Sequence, residues 1–239
     1  MHFIDTHIHL QDFNIDFAPQ VVDDEELTTR VLVSASFDDF EKIDKIIEAY
    51  LDKFMGAFGL HPWYWADINK VDEIKKYLIK YPNALVGEIG VDRLRGDVND
   101  GQRELFYRQL ALATEFKRNI IVHAAKAFDE LKEFEKELKN ITFVHHGFVK
   151  NDELISFINK CGGYIGIGSL FLKQENALEM VKKMPLDRIL FETDAPFRVD
   201  QENYSKIARE NITKLACLMG DKEVMLEQLY NNAREFLKC

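Results

Sequence analysis

The chain has 239 residues, 46% of them hydrophobic and 30% charged, a balance that suits a folded domain and excludes disordered, fibrous and low-complexity classes. A formal net charge of −10 excludes a generic basic coat for nucleic acid, although a local cationic site stays compatible with it. Five prolines, no repetitive tract and a length in the range of about 200 to 250 residues that barrels take as one unit lead to the expectation of a single domain over 1–239.

Three cysteines, Cys161, Cys217 and Cys239, lack metal-type spacing and read as reduced thiols of a cytoplasmic protein. The sequence opens directly into an apolar strand, with no basic leader and no run long enough to span a membrane, so a soluble chain is expected. Oligomeric state is not encoded in these features; a monomer is the simplest expectation.

In chain order, the first strand, Phe3 to His9, ends in two histidines one residue apart. The β-branched run Arg30 to Ser34 gives a second strand, and Asp39 to Lys53 a helix with Phe40, Ile43, Ile46, Ile47 and Tyr50 at helical spacing. Phe54 to Leu60 is a third strand, stopped by His61-Pro62, and Val71 to Tyr81 a helix. Strands at Ala84 to Gly90, Asn119 to His123, Ile141 to His146, Tyr164 to Gly168 and Arg188 to Thr193 follow. They are separated by helices at Gly101 to Arg118, Phe128 to Leu138, Asp152 to Cys161 and Gln174 to Met184, and helices over Asn203 to Met219 and Lys222 to Leu237 close the chain. Near-continuous apolar strands alternating with helices predict parallel pairing with helices outside: an α/β fold, and with eight units a closed (β/α)8 barrel of the TIM type. An open doubly wound sheet fits less well, because Gln11-Asp12-Phe13-Asn14 stands where a glycine-rich phosphate loop would follow the first strand.

A parallel barrel gathers its site at the C-terminal ends of the strands. There the sequence places His7 and His9, His61, Glu88, His123, His145 and His146, and Asp194. Alternate residues of a strand share a face, so His7 and His9 can aim at one point. Each group singly has a structural reading as a core imidazole, a satisfied carboxylate or a turn cap. Together, so many titratable groups at one end are costly to bury unless a cation compensates. Four imidazoles and two carboxylates match a pair of divalent ions with Glu88 able to bridge, leaving a site near about +2 that could draw an anion to an acidic protein. Imidazole-rich ligation suits Zn, Mn, Co or Ni better than Mg. Arg93, Arg95, Lys126, Lys150 and Arg198 follow these residues in loops and could clamp phosphate oxygens. Adjacent His145 and His146 cannot both face inward, and the local pattern leaves the choice open.

The stretches DTHIHL at 5–10, GLHPWYW at 59–65, VGEIGVDR at 86–93, the QxxLFxxQLxLA-like helix at 102–113, IIVHAAKA at 120–127, VHHGF at 144–148 and ILFETDAPF at 189–197 together resemble the TatD family of metal-dependent hydrolases, within the amidohydrolase-like barrels. The resemblance spans nearly the whole chain. It implies that His7, His9 and Asp194 bind one metal, that His123 and His146 bind another, and that Glu88 bridges them. His61 would face the substrate, and Asp194 would also act as general base. Where nucleases of the family usually carry His-Cys-Phe-Ser-Gly, this chain has His146-Gly147-Phe148-Val149-Lys150, with Lys126 near a usual arginine and Arg93-Leu94-Arg95 in place of common tyrosines. The activity implied is hydrolysis of a phosphodiester by a metal-activated water, on single-stranded DNA ends. The alternatives are another phosphoester, an amide or a lactone at the same dinuclear site, or a non-catalytic metal-binding barrel.

Overall fold

The computed structural model describes residues 2–14, 21–50 and 52–238. Its eight named strands are β1 Phe3–Ile8, β2 Leu27–Val33, β3 Phe54–Ala57, β4 Val86–Asp92, β5 Ile120–Ala125, β6 Phe143–His145, β7 Tyr164–Ile167 and β8 Ile189–Phe191. They pair in parallel in sequence order, as one sheet of β1 to β3 and one of β4 to β8. Hydrogen bonds continue across both gaps. Between β3 and β4, Leu85 N–H donates to Gly56 O at 2.9 Å; between β8 and β1, His9 N–H donates to Ala195 O at 2.8 Å. The parallel α/β architecture expected from the alternating pattern is therefore present.

The helices are α1 Asp39–Ala49, α2 Ile74–Lys80, α3 Asp100–Phe116, α4 Phe128–Lys132, α5 Glu135–Leu138, α6 Asp152–Cys161, α7 Ser169–Leu172, α8 Ala177–Val181, α9 Tyr204–Met219 and α10 Lys222–Leu237. Local chemistry sets several ends. Asn99 starts α3 by accepting from Gln102 N–H, and Asn151 starts α6 by accepting from Glu153 and Leu154 N–H. Gly162 ends α6 in the left-handed region at φ 73°.

Four expectations are corrected. Pro62–Glu73 is a 3-10 run with kinks at Tyr64 and Asp67, begun by Pro62 and capped by the His61 side chain, where the sequence pattern predicts no helix before Val71. The helix expected over 128–138 breaks into α4 and α5 because Phe134 turns inward against Phe106, ring centroids 4.6 Å apart. α8 stops at Val181, short of Met184, whose successor Pro185 disfavours helical backbone before it. α1 ends at Ala49 with Tyr50 in non-helical backbone, and Leu51 within the predicted helix lies outside the described residues.

Alternate strand residues bury their apolar side chains inside or beneath the helices. Cys161 is buried and Cys217 exposed, while Cys239 lies outside the described residues. No described helix is long and apolar enough to cross a membrane.

Candidate active site

A cleft of about 1100 Å³ opens at the C-terminal ends of the strands, lined among others by His9, His61, Glu88, His123, His146 and Asp194. Its floor is held by polar ties between strands. Asp5, two residues before His7 on β1, accepts from Thr193 N–H at 3.1 Å and Thr193 Oγ at 2.6 Å, and from Tyr204 OH at 2.7 Å. Burial raises the Asp5 carboxyl to about 6 against the lowering pull of those donors. On the far side, Gln109 of α3 makes two hydrogen bonds to the backbone of Leu60, the residue before His61 (2.7 and 3.0 Å). Gln102 makes two to the backbone of Asp92 (2.9 and 3.1 Å). Seven residues apart, the two glutamines share one helix face, which explains their place in the QxxLFxxQ pattern.

Glu88 is the centre of the cluster. Its Oε1 is 2.7 Å from His123 Nδ1 and 2.6 Å from His146 Nε2, while its Oε2 is 3.6 Å from His7 Nε2 and 3.9 Å from His9 Nε2. His7 and His9 bring their Nε2 atoms to 3.0 Å of each other, and Asp194 Oδ1 lies 3.9 and 3.6 Å from them. Asp194 reaches this position from the left-handed region, φ 53°, a conformation uncommon for a residue with a side chain. Its N–H donates to His7 O at 2.9 Å, anchoring it to β1.

Burial alone would raise the Glu88 carboxyl; the His146 and His123 imidazoles beside it hold it well below its usual range. Burial works to lower His146, yet Glu88 and Glu192 lift it well above the usual histidine range. His7, buried and next to His146, is pushed well down. His61 falls to about 3, chiefly through burial, and is neutral. Trp63 N–H donates to His61 Nδ1 at 3.1 Å, so the ring proton sits on Nε2, 3.9 Å from Glu88 Oε1.

The donor set fits divalent cations. The ligand atoms of His7, His9 and Asp194, and those of Glu88, His123 and His146, lie within 4.8 Å of one another in each group. Imidazole nitrogens facing each other across about 3 Å beside carboxylate oxygens form the mixed nitrogen and oxygen set that Zn, Mn, Co or Ni takes. In metal-free protein, the positive charge that Glu88 favours on His146 stands in for part of that cation charge.

The structure brings six of the predicted residues together: His7, His9, Glu88, His123, His146 and Asp194. His146 turns into the cluster, whereas His145, on β6 itself, is buried and lowered to about 3 by desolvation, its ring edge toward Phe148. Lys126 and Arg198 line the cleft, as do Arg95 and Lys150. Arg198 Nε is 3.6 Å from Asp194 Oδ2. Arg93 is different: its guanidinium pairs with the buried Glu130 carboxylate of α4, and it is not among the cleft-lining residues.

Two carboxylates that sequence reasoning passed over stand behind the histidines. Asp92 Oδ2 is 2.6 Å from His123 Nε2, and Glu192 Oε1 is 3.7 Å from His146 Nδ1 while accepting from Gly147 N–H at 2.6 Å. Asp92 lies four residues from Glu88 on β4, which is the period-two signal that could have found it, whereas Glu192 lies just beyond the end of β8 and carries no such signal.

Comparison with known proteins places the chain. The family model described as TatD related DNase matches residues 4–238. The metal-dependent hydrolase YabD of Bacillus subtilis is 27% identical, covering 98% of this chain and 96% of that protein. A protein of Enterocytozoon bieneusi named as a homologue of the deoxyribonuclease TATDN1 is 33% identical over 62% of this chain and 57% of its own length. The structure of the TatD homologue YjjV from Escherichia coli superposes with a TM-score of 0.83 at 24% identity, covering 99% of this chain and 98% of that one. The chain belongs to the TatD family of metal-dependent hydrolases.

Proposed function

We propose that this hydrolase cleaves phosphodiester bonds in single-stranded DNA, at a site for two divalent ions set in a closed, single-domain (β/α)8 barrel. The hydrogen bonds that span both gaps between the sheets support the closed barrel. The observation that carries the functional reading is the division of Glu88, one oxygen facing His123 and His146 and the other facing His7 and His9, which is the geometry of a bridging carboxylate. His7, His9 and Asp194 would hold one ion, and His123 and His146 the other. When bound, the ions supply positive charge to a phosphoryl oxygen and to the attacking water.

The remaining chemistry falls to the chain. Asp194, raised by burial and placed beside His7 and His9, accepts the proton of the attacking water. Neutral His61 presents Nε2–H as a donor to the substrate without adding charge. Lys126 and Arg198 bind the non-bridging phosphate oxygens from the rim. The deoxyribonuclease names carried by the family model and by the Enterocytozoon bieneusi relative support DNA over other phosphodiesters.

Incubation of protein loaded with Zn, Mn or Mg with a single-stranded oligonucleotide tests the reading, with His7→Ala and Asp194→Asn as controls. Cleavage that depends on metal and on both residues is expected. Equal turnover in wild type and controls, or none with any of the metals, overturns it.

A further inference from the structure

Two aromatic side chains stand at the mouth of the cleft, each against a different half of the ionic centre. The Phe197 ring meets the His9 ring edge-on at 5.0 Å, and the Trp63 ring meets the His61 ring edge-on at 4.6 Å. His9 groups with His7 and Asp194, whereas His61 groups with His123 and Asp92, so the two rings stand against different groups of side chains in the cluster. Phe197 is 60% exposed, and Trp63 is 36% exposed with Arg95 over one of its faces.

One ring carries a guanidinium, and a second guanidinium lies next along the chain from the other ring. Arg95 lies 3.5 Å from the Trp63 centroid, and Arg198 follows Phe197 in sequence with its Nε 3.6 Å from Asp194 Oδ2. All four side chains line the one cleft. Scattered exposed aromatics on a protein surface call for no explanation. These two differ because they touch imidazoles of the reaction centre and share their cleft with the guanidinium groups of Arg95 and Arg198. A flat π face beside a cation, within reach of a phosphate-binding centre, matches a planar ring joined to an anion, which is the make-up of a nucleotide.

We propose that Trp63 and Phe197 are two base-stacking subsites, one on each side of the scissile phosphate, so that the substrate must offer an unpaired base on both sides of the bond that is cut. The proposal rests on the phosphodiester reading above and extends it to the shape of the substrate. Bases held within a duplex stack on each other and cannot occupy the two rings; unpaired ones can.

The test uses metal-loaded protein and a dithymidine whose bridging phosphate is a methylenephosphonate that cannot be cut, together with its two analogues in which one thymine is replaced by hydrogen. In wild type, loss of either base is expected to weaken Kd about 5- to 150-fold. In Trp63→Leu one of the two losses becomes neutral, and in Phe197→Leu the other does. Base removal without effect in wild type, or unchanged base dependence in both variants, overturns the proposal. Cleavage is scored separately: base-dependent Kd without cleavage of any DNA removes the phosphodiesterase reading and leaves the subsites, and cleavage with base-indifferent Kd does the reverse.

Discussion

Asp92 Oδ2 accepts a hydrogen bond across 2.6 Å from His123 Nε2, which turns the opposite ring nitrogen, Nδ1, toward Glu88 at 2.7 Å and His146 at 3.2 Å. A carboxylate behind a histidine fixes the tautomer and raises the basicity of the nitrogen that faces the metal. Asp92→Asn is therefore expected to lower metal affinity about 10- to 100-fold with the fold retained. Competition with a chromogenic chelator measures this, and affinity equal to wild type would remove Asp92 from that role.

Gly90 is the close-approach position on β4. Its φ of 148° lies in the region that disfavours side chains, and a Cβ there would fall 1.9 Å from the carbonyl oxygen of His123. Gly90→Ala is expected to destabilise the protein by at least about 1–3 kcal/mol from the backbone conformation alone. It should also reduce metal binding, because the strand that carries His123 must move. Urea denaturation with unchanged midpoint would contradict this.

Asp194→Asn keeps the size of the side chain and removes its ability to take a proton. The expected outcome is a fall in kcat of about 10²- to 10⁴-fold, the usual contribution of a positioned base, with a much smaller change in KM. A variant whose loss lies wholly in KM would instead make Asp194 a binding residue.

Arg93 and Arg198 are expected to separate stability from substrate binding. Arg93→Ala deletes the partner of the buried Glu130 carboxylate; because the arginine is 43% exposed, solvent screening limits the cost to about 1 kcal/mol. Arg198→Ala loses a cleft-lining cation and should raise KM about tenfold, the loss of one charge-assisted contact of roughly 1.5 kcal/mol. Thermal denaturation and steady-state kinetics on the same two variants check both halves, and a KM effect at Arg93 larger than at Arg198 would reverse the assignment.

Metal removal is expected to change the pH dependence of stability. In metal-free protein, burial opposes ionisation of Glu88, but His146 and His123 hold it low, so its contribution is present above its unfolded pKa and lost as pH falls through the lowered folded value. Burial likewise opposes the charged form of His146, but Glu88 holds it up, so its contribution is complete below its unfolded pKa and lost as pH rises through the raised value. Metal binding requires neutral imidazoles and strengthens in the same direction in which the metal-free pair weakens. The Tm difference between metal-loaded and chelator-treated protein should therefore widen as pH rises above the ordinary histidine range. A constant or narrowing difference would show that ions do not replace the imidazole charge beside Glu88.

Much of the fold could be read from the sequence because parallel strands buried on both faces write themselves as apolar runs, and each predicted strand core matches a strand of the structure. Five of the six clustered groups were legible for a related reason, since titratable side chains at the ends of such runs have no cheap structural role; the sixth, His146, could be told from His145 only through the family resemblance. What the sequence withheld depends on contacts between strands and helices. Nothing along the chain distinguishes Arg93, paired with Glu130 on α4, from Arg95, stacked on Trp63. Asp5, Asp92 and Glu192 are hidden in the same way, since each acts through a neighbour: Asp5 through Thr193 and Tyr204, Asp92 through His123, Glu192 through Gly147 and His146. The broken helix at Phe134 was invisible because the turn is driven by a ring on α3.

The paired hydrogen bonds from Gln102 and Gln109 make α3 a spacer gauge for the site. Two turns of helix, about 10.5 Å along the axis, set the separation between the backbone leading to His61 and the backbone of Asp92, and through Asp92 the orientation of His123. One residue added between the glutamines would leave a good helix but swing one carboxamide about 100° from its strand, so that helix length, rather than any ligand, would decide whether the site is in alignment.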